Sequence, residues 1–547
     1  MVETARQKWA RRAPVLAFGA VLVFAFFFWM NAGRAEWFYL DEWDFLVTRK
    51  ITNVGDLFRP HNEHWTTIPI LVYRTLYKFF GLKTYYPYRL TIVLLYLVAA
   101  TLLYLVIRRT GVNAWIATAG ASAFALFGGG WENAIRPFQM AFTGALVFGL
   151  VFLLLADHDG PLSRRDWLGV LAGFLALMTS GVGVAMVAIV GLAALLRRGW
   201  KIALVLVAPL AGCYVIWYAI TGHTGQVRFG SKDPFTVGAA FRFVRLGMQN
   251  TFRAIPHNEV LGVLFFVLLV VGLVLAWRAR RASAQVGTLA APIALLAGSV
   301  LFLTFAAAGR ATFGQTYAGA SRYVSLTTAM VLPALAVAAD AVARRWRPLV
   351  PVAVVLLVIG VPFSLSGVSG AQEPLKKLYE NTKLTMLSLP RSDIATKVPG
   401  DLRPEQYTAH EVTIGWLLAG VAAGRIPQPP FTIRKLKESA QFRLSFYQND
   451  GKAPTTECLT ITKPVAMRVR MGQVLGVYDN PIVIVPLSAP PLVGFGLAFV
   501  PNEGKAVTVV RPVTRKIEIR AFNGLHLPKV CFGPGVILPN PVTATPS

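Results

Sequence analysis

Long apolar runs separated by short basic loops fill the chain from its N-terminus to about residue 366, and shorter alternating runs follow. A helix that crosses a bilayer needs roughly 20 apolar residues, and about eleven segments reach or approach that length. They are 13–30, 88–107, 112–128, 138–156, 167–180, 183–196, 201–220, 259–277, 286–308, 323–342 and 348–366. The fifth and sixth are short enough to form one tight hairpin. Beyond 367 the hydropathy falls, and "EPLKKLYENTKLTMLSL" and "EVTIGWLLAGVAAG" keep helical spacing until "RIPQPP" breaks it. From about 431, runs such as "CLTITKPVAMRVRM", "PIVIVPLS" and "KIEIRAF" are β-rich with turn residues between them. The pattern predicts a polytopic α-helical membrane domain over 1–366, a helical connector over 367–430, and a β-rich, sandwich-like domain over 431–547, the last two forming an α+β region.

Composition agrees with a lipid solvent: 55% of the 547 residues are hydrophobic and only 15% charged. The net charge of +28 does not make a nucleic-acid face, because much of the excess sits in arginine doublets between apolar runs. The first run exceeds the apolar core of a signal peptide and is expected to be a retained helix. With "RQKWARR" placed in the cytoplasm, Arg108-Arg109, Arg164-Arg165, Arg197-Arg198, "RARR" at 278–281 and "RRWR" at 344–347 all fall on that side. The outward segments are then 31–87, 128–138, 221–258, 309–322 and the tail from 367. The first carries Ile68, Leu71, Val72, Leu76 and Phe79 at helical spacing, as in an amphipathic helix lying in the membrane interface. Of three cysteines, Cys213 lies in an apolar run as a packing residue, whereas Cys458 and Cys531 fall in the exported tail and are able to pair there.

Four outward segments carry the chemistry: "DEWD" at 41–44, "RPHNEHW" at 59–65, "GGGWENAIRPFQ" at 128–139 and "GRATFGQTYAGASRY" at 309–323. Asp41, Glu42 and Asp44 crowd one another at a low-dielectric boundary, so at least one is expected to have a raised pKa, which suits a proton acceptor. His61, Glu63 and His64 are suitable, with Asp44, for a divalent cation such as Mg or Mn, or for positioning an acceptor hydroxyl. Glu132 and Gln139 stand where a spanning segment begins, a depth at which acids face a cavity or the headgroups. Arg310 and Arg322 end two successive spans on the outward side, against the positive-inside bias. Phosphate is their natural partner, because a guanidinium fork matches its oxygens.

These features resemble the GT-C superfamily of integral-membrane glycosyltransferases, which use polyprenyl-phosphate-linked sugars. The resemblance rests on an acidic motif in the first long outward loop after the first spanning helix, here Asp41, Glu42 and Asp44. It extends to an interfacial helix in that loop, a multi-helix bundle and a C-terminal domain on the same side. "HNEHW" and "RATFGQTYAGASRY" also resemble stretches of bacterial membrane proteins related to that superfamily. The resemblance implies direct transfer of one sugar from a lipid-phosphate donor to an envelope glycan, lipid or protein acceptor, with inversion, at the outer face of a bacterial plasma membrane. It implies Asp41 as general base, with Asp44 close behind, and Glu42 or Asp44 in support. Arg310, Arg322 and Tyr323 would then hold the departing phosphate, and His61, Glu63, His64, Glu132 and Gln139 the acceptor side. Two other readings compete: a flippase or transporter for lipid-linked sugars, which predicts broken helices, and a non-catalytic envelope assembly protein whose tail binds glycan.

Overall fold

A computed structural model of the chain describes residues 5–225, 236–311, 314–346, 348–406, 408–428, 434–449, 452–468, 471–486, 497–499, 506–509, 516–522 and 527–533. Residues 226–235 of the third outward segment, Thr312 and Phe313 of the fourth, Arg347 of "RRWR" and the last two prolines of "RIPQPP" lie outside them, as do the side chains of 5–11 in the N-terminal basic stretch.

The helices are α1 Ala5–Ala32, α2 Val54–Phe58, α3 Thr67–Phe80, α4 Tyr86–Arg109, α5 Ala114–Ala125, α6 Trp131–Ile135, α7 Met140–Ala156, α8 Arg164–Leu177, α9 Val182–Arg198, α10 Trp200–Ile220, α11 Val237–Ala254, α12 Glu259–Ala282, α13 Ala290–Arg310, α14 Ser321–Arg345, α15 Leu349–Val358, α16 Val361–Ser388, α17 Ile414–Ala422 and α18 Arg434–Arg443. Among the described residues eight helical stretches are long and apolar enough to cross a membrane: α1, α4, α7, α10, α12, α13, α14 and the run Leu349–Arg391. The count falls short of eleven because α5, α8 and α9 have only 12, 14 and 17 residues. At α5 and α8 the apolar pattern reads past the point where the backbone ends the helix, whereas α9 covers its whole apolar segment and is still short. Between α8 and α9 the chain reverses over 178–181, and a Cβ on Gly183 would meet the Ala176 carbonyl oxygen at 2.3 Å, so only glycine permits this hairpin.

Two compact units divide the chain: Met1–Arg34, Ile51–Val72 and Tyr86–Glu373 form the first, and Ala35–Lys50, Tyr73–Tyr85 and Pro374–Ser547 the second. The first outward segment is therefore shared between them instead of belonging wholly with the membrane helices. In the first unit, α14 is buried along most of its length and packs against α12 and α13, and α13 packs in turn against α9. Its alanines allow this closeness; Gly272 of α12 lies so near Ala338 that a Cβ would sit 2.5 Å from its side chain.

In the second unit nine strands among the described residues, all paired antiparallel, form two sheets, ordered β1-β7-β4-β9-β2 and β3-β8-β5-β6. They are β1 Phe446–Asn449, β2 Cys458–Thr460, β3 Val465–Arg468, β4 Val474–Tyr478, β5 Ile482–Pro486, β6 Leu497–Phe499, β7 Ala506–Val509, β8 Lys516–Ala521 and β9 Lys529–Phe532. Both sheets contribute to one core, with Leu475, Val507 and Phe532 from the first and Ile484, Phe499 and Ile519 from the second. Cys458 and Cys531 face each other across β2 and β9 and form a disulfide.

Along α3 the aliphatic positions read from the sequence are not the buried ones. Ile70, Tyr73 and Tyr77 make the buried face, while Leu71 and Phe79 are exposed. An interfacial helix is expected to turn an aliphatic edge outward in this way.

Candidate functional site

The acid-bearing loop belongs to the second unit and sorts its three carboxylates by burial. Asp44 begins a short wide-turn helix over Asp44–Thr48 and is buried. Arg49 donates to its Oδ2 from Nη2 at 2.7 Å and from Nε at 3.1 Å, and the Thr48 hydroxyl donates to Oδ1. Glu42 is buried too; its Oε1 accepts from the Tyr73 hydroxyl at 2.6 Å and the Tyr85 hydroxyl at 2.9 Å, and its Oε2 from the Tyr39 N–H at 2.9 Å. Burial outweighs these bonds and pushes the Glu42 carboxyl up from 4.5 to about 8. The raised acid is thus the one enclosed by tyrosines, and its shift reports burial instead of marking a base. Asp41 is the half-buried member of the trio. It directly follows Leu40, whose φ of 47° is the left-handed region that non-glycine residues avoid. The Leu40 N–H bonds the Thr408 carbonyl at 2.9 Å and the Leu40 carbonyl accepts from the Trp43 N–H at 3.0 Å, which fixes the turn.

The other candidates lie in the first unit. His61 and His64 exchange both backbone hydrogen bonds at 2.9 Å, closing a tight turn with Asn62 at φ 50° and Glu63 on its tip. Trp65 anchors the turn by stacking on Trp217 of α10, centroids 5.0 Å apart. Arg310, at the end of α13, reaches Glu63 Oε1 at 2.7 Å, and His64 Nε2 lies 3.6 Å from the same oxygen. His61 packs edge-on to Phe138 and His64 to Phe142.

Two guanidiniums converge on Glu132 in α6. Arg136 meets its Oε1 at 2.6 Å and Arg322, in the first turn of α14, meets its Oε2 at 3.4 Å. The backbone reinforces the link: the Glu132 N–H bonds Ser321 Oγ at 3.3 Å, and Asn133 Nδ2 bonds the Arg322 carbonyl at 3.1 Å. Arg322 lies over the rings of Tyr317 and Tyr323 at 5.1 and 5.0 Å, and Arg136 over Trp131 at 4.7 Å, so both cations keep π-face partners. Gln139 is buried at the start of α7.

Sequence reasoning missed Arg49, Tyr73, Tyr85, Arg136 and Tyr317. Arg49 and Arg136 stood within five residues of the acids they hold, a spacing open to reading; the tyrosines had no local signal. For the cation expected at Asp44, His61 and His64, no group of three or more His, Cys, Asp or Glu able to hold a metal ion occurs among the described residues. Asp44 is committed to Arg49, so no step is built on a metal. The chain matches no family model and no curated protein.

Proposed function

We propose that this membrane protein is a glycosyltransferase that moves a sugar from a polyprenyl-phosphate donor to a cell-envelope glycan, lipid or protein on the outer face of a bacterial plasma membrane. The observation that carries this reading is Arg322, a guanidinium at the end of a spanning helix, held by one carboxylate and two tyrosine rings and still partly exposed. Such a group suits a lipid phosphate, whose charge grows as the sugar leaves. The Cys458–Cys531 disulfide supports an exported second unit, because such bonds persist in oxidising compartments. Outside the membrane an activated sugar must arrive on a lipid.

In this reading the Asp41 carboxylate takes the proton of the acceptor hydroxyl. The acceptor oxygen bonds to the anomeric carbon as the bond from that carbon to the phosphate oxygen breaks, inverting the centre. Polyprenyl phosphate leaves with the electron pair, its charge met by Arg322 and Arg310. Asp41 is favoured over Asp44 and Glu42 because it is half-buried where those two are buried. The transporter reading draws on the reversal between α8 and α9, and it predicts movement of the intact lipid-linked sugar without transfer.

The test is reconstitution in liposomes with a panel of polyprenyl-phosphate sugars and envelope acceptors. Asp41→Asn is expected to lower kcat by about 10²–10⁴-fold with donor KM little changed, and Arg322→Ala to raise donor KM more than acceptor KM. Full transfer by Asp41→Asn removes Asp41 as base. Transbilayer movement of the donor with no transfer to any acceptor sinks the enzyme reading.

A further inference from the structure

The helix α11 plays no part in the proposed transfer, yet its exposed face is organised. It lies between α10 and α12, both of which meet the requirements for a membrane span, whereas α11 does not. Thr236 caps its start by accepting from the Ala239 N–H at 3.1 Å. Its inner face is fitted to α13 and α14. Phe243 packs edge-on to Tyr323, and the Thr251 and Thr327 hydroxyls are 2.6 Å apart, which places α11 against the first two turns of α14. Gly247 admits Leu303 of α13, for a Cβ there would come within 2.7 Å of that side chain. Tyr323 and Thr327 lie in the first two turns of α14, at a helix end where hydrocarbon gives way to headgroups, and farther along α11 Met248 reaches Ser299 midway along α13.

The opposite face carries Arg242, Arg245, Gln249 and Arg253, all exposed, at spacings of three and four that place them on one stripe. Val237 and Phe241, exposed at 82% and 69%, border the stripe near the N-terminus of the helix. No Asp or Glu occurs in α11, and among the described residues no carboxylate pairs with these three arginines. Three cations bordered by two large apolar side chains match an anionic headgroup over its acyl chains: the arginines take phosphate oxygens while Val237 and Phe241 dip below.

We infer that the exposed stripe of α11, Arg242, Arg245 and Arg253, binds the phosphate headgroups of anionic phospholipids in the surrounding bilayer. Charge complementarity selects this occupant, because a zwitterionic headgroup offers the stripe no net opposite charge.

The experiment uses the full-length protein in proteoliposomes of phosphatidylcholine with phosphatidylglycerol, each lipid supplied in turn with a photoreactive headgroup, and maps crosslinked peptides. Phosphatidylglycerol is expected to label 237–254 at least about fivefold more than phosphatidylcholine does, from roughly 1 kcal/mol per arginine near an anionic surface. R242Q/R245Q/R253Q is expected to abolish the preference and R242K/R245K/R253K to retain most of it. Equal labelling by the two lipids, or an unchanged preference in the glutamine variant, overturns the assignment. Should the glutamine variant fail to fold, wild-type protein decides: the preference must fall as salt rises, and a salt-insensitive preference overturns it. Displacement of the phosphatidylglycerol probe by substoichiometric polyprenyl phosphate also overturns it, by reassigning the stripe to the donor lipid.

Discussion

Two sets of carboxylates in this chain have the same chemistry and opposite fates. In the acid-bearing loop of the second unit, Glu42 and Asp44 are enclosed, one by two tyrosine hydroxyls and the other by an arginine fork. In the first unit, Glu63 holds Arg310 at a helix end with a side-chain exposure of 37% against 6% for Asp44, while Glu132, itself buried, is shared by Arg136 and Arg322. An enclosed carboxylate is a structural element whose removal is felt in stability. A more exposed one restrains a cation that another anion can still reach, so its removal is felt in binding. Burial, more than residue type, separates scaffold from site.

Substitutions rank this contrast. Asp44→Ala takes the counter-charge from a buried Arg49 and is expected to cost about 3–5 kcal/mol, read as a lowered denaturation midpoint; a loss below about 1 kcal/mol would mean the pair is solvated in solution. Glu42 gives a pH signature. Its folded pKa is raised from 4.5 to about 8, so the folded state holds this proton more tightly than the unfolded chain. The resulting stability is fully present below pH 4.5 and is lost as pH rises through 8. Thermal scans across that window should show a falling Tm in the wild type and a flatter profile in Glu42→Gln, and identical slopes would refute the burial of Glu42. Glu132→Gln, with two arginines affected, should cost roughly 1–2 kcal/mol. Glu63→Gln should cost less than about 1 kcal/mol while strengthening donor binding severalfold, because Arg310 no longer has Glu63 as a competing anion. Weaker donor binding in Glu63→Gln would turn the comparison around.

Apolar periodicity located the long apolar helices and the β-rich tail, because lipid and strand pleat each impose a local repeat, but it left the 18-residue α11 inside the segment 221–258. Its spans at α5, α8 and α9 are not matched by helices long enough to cross: α5 and α8 end at Leu126 and Met178, before the apolar composition does, and α9 has only 17 residues. The same reading found the acids and arginines but not their sorting. Glu42 meets Tyr73 and Tyr85 across 31 and 43 residues of chain, and Glu63 meets Arg310 only once α13 is in place. No local pattern encodes contacts of that separation, whereas the shorter links of Asp44 to Arg49 and Glu132 to Arg136 were within reach of the sequence.

The strand order of the larger sheet also sets a schedule. β9, the last strand in the described chain, lies between β4 and β2, so Gly476 and Cys458 both wait for Cys531. Until a ribosome has passed residue 532, β4 presents an open edge and Cys458 an unclaimed thiol. Unpaired edges recruit other chains, so a product stalled before Lys529 would leave the sheet open at its centre. Closing it is a late act of synthesis, completed when Cys458 and Cys531 join in their disulfide.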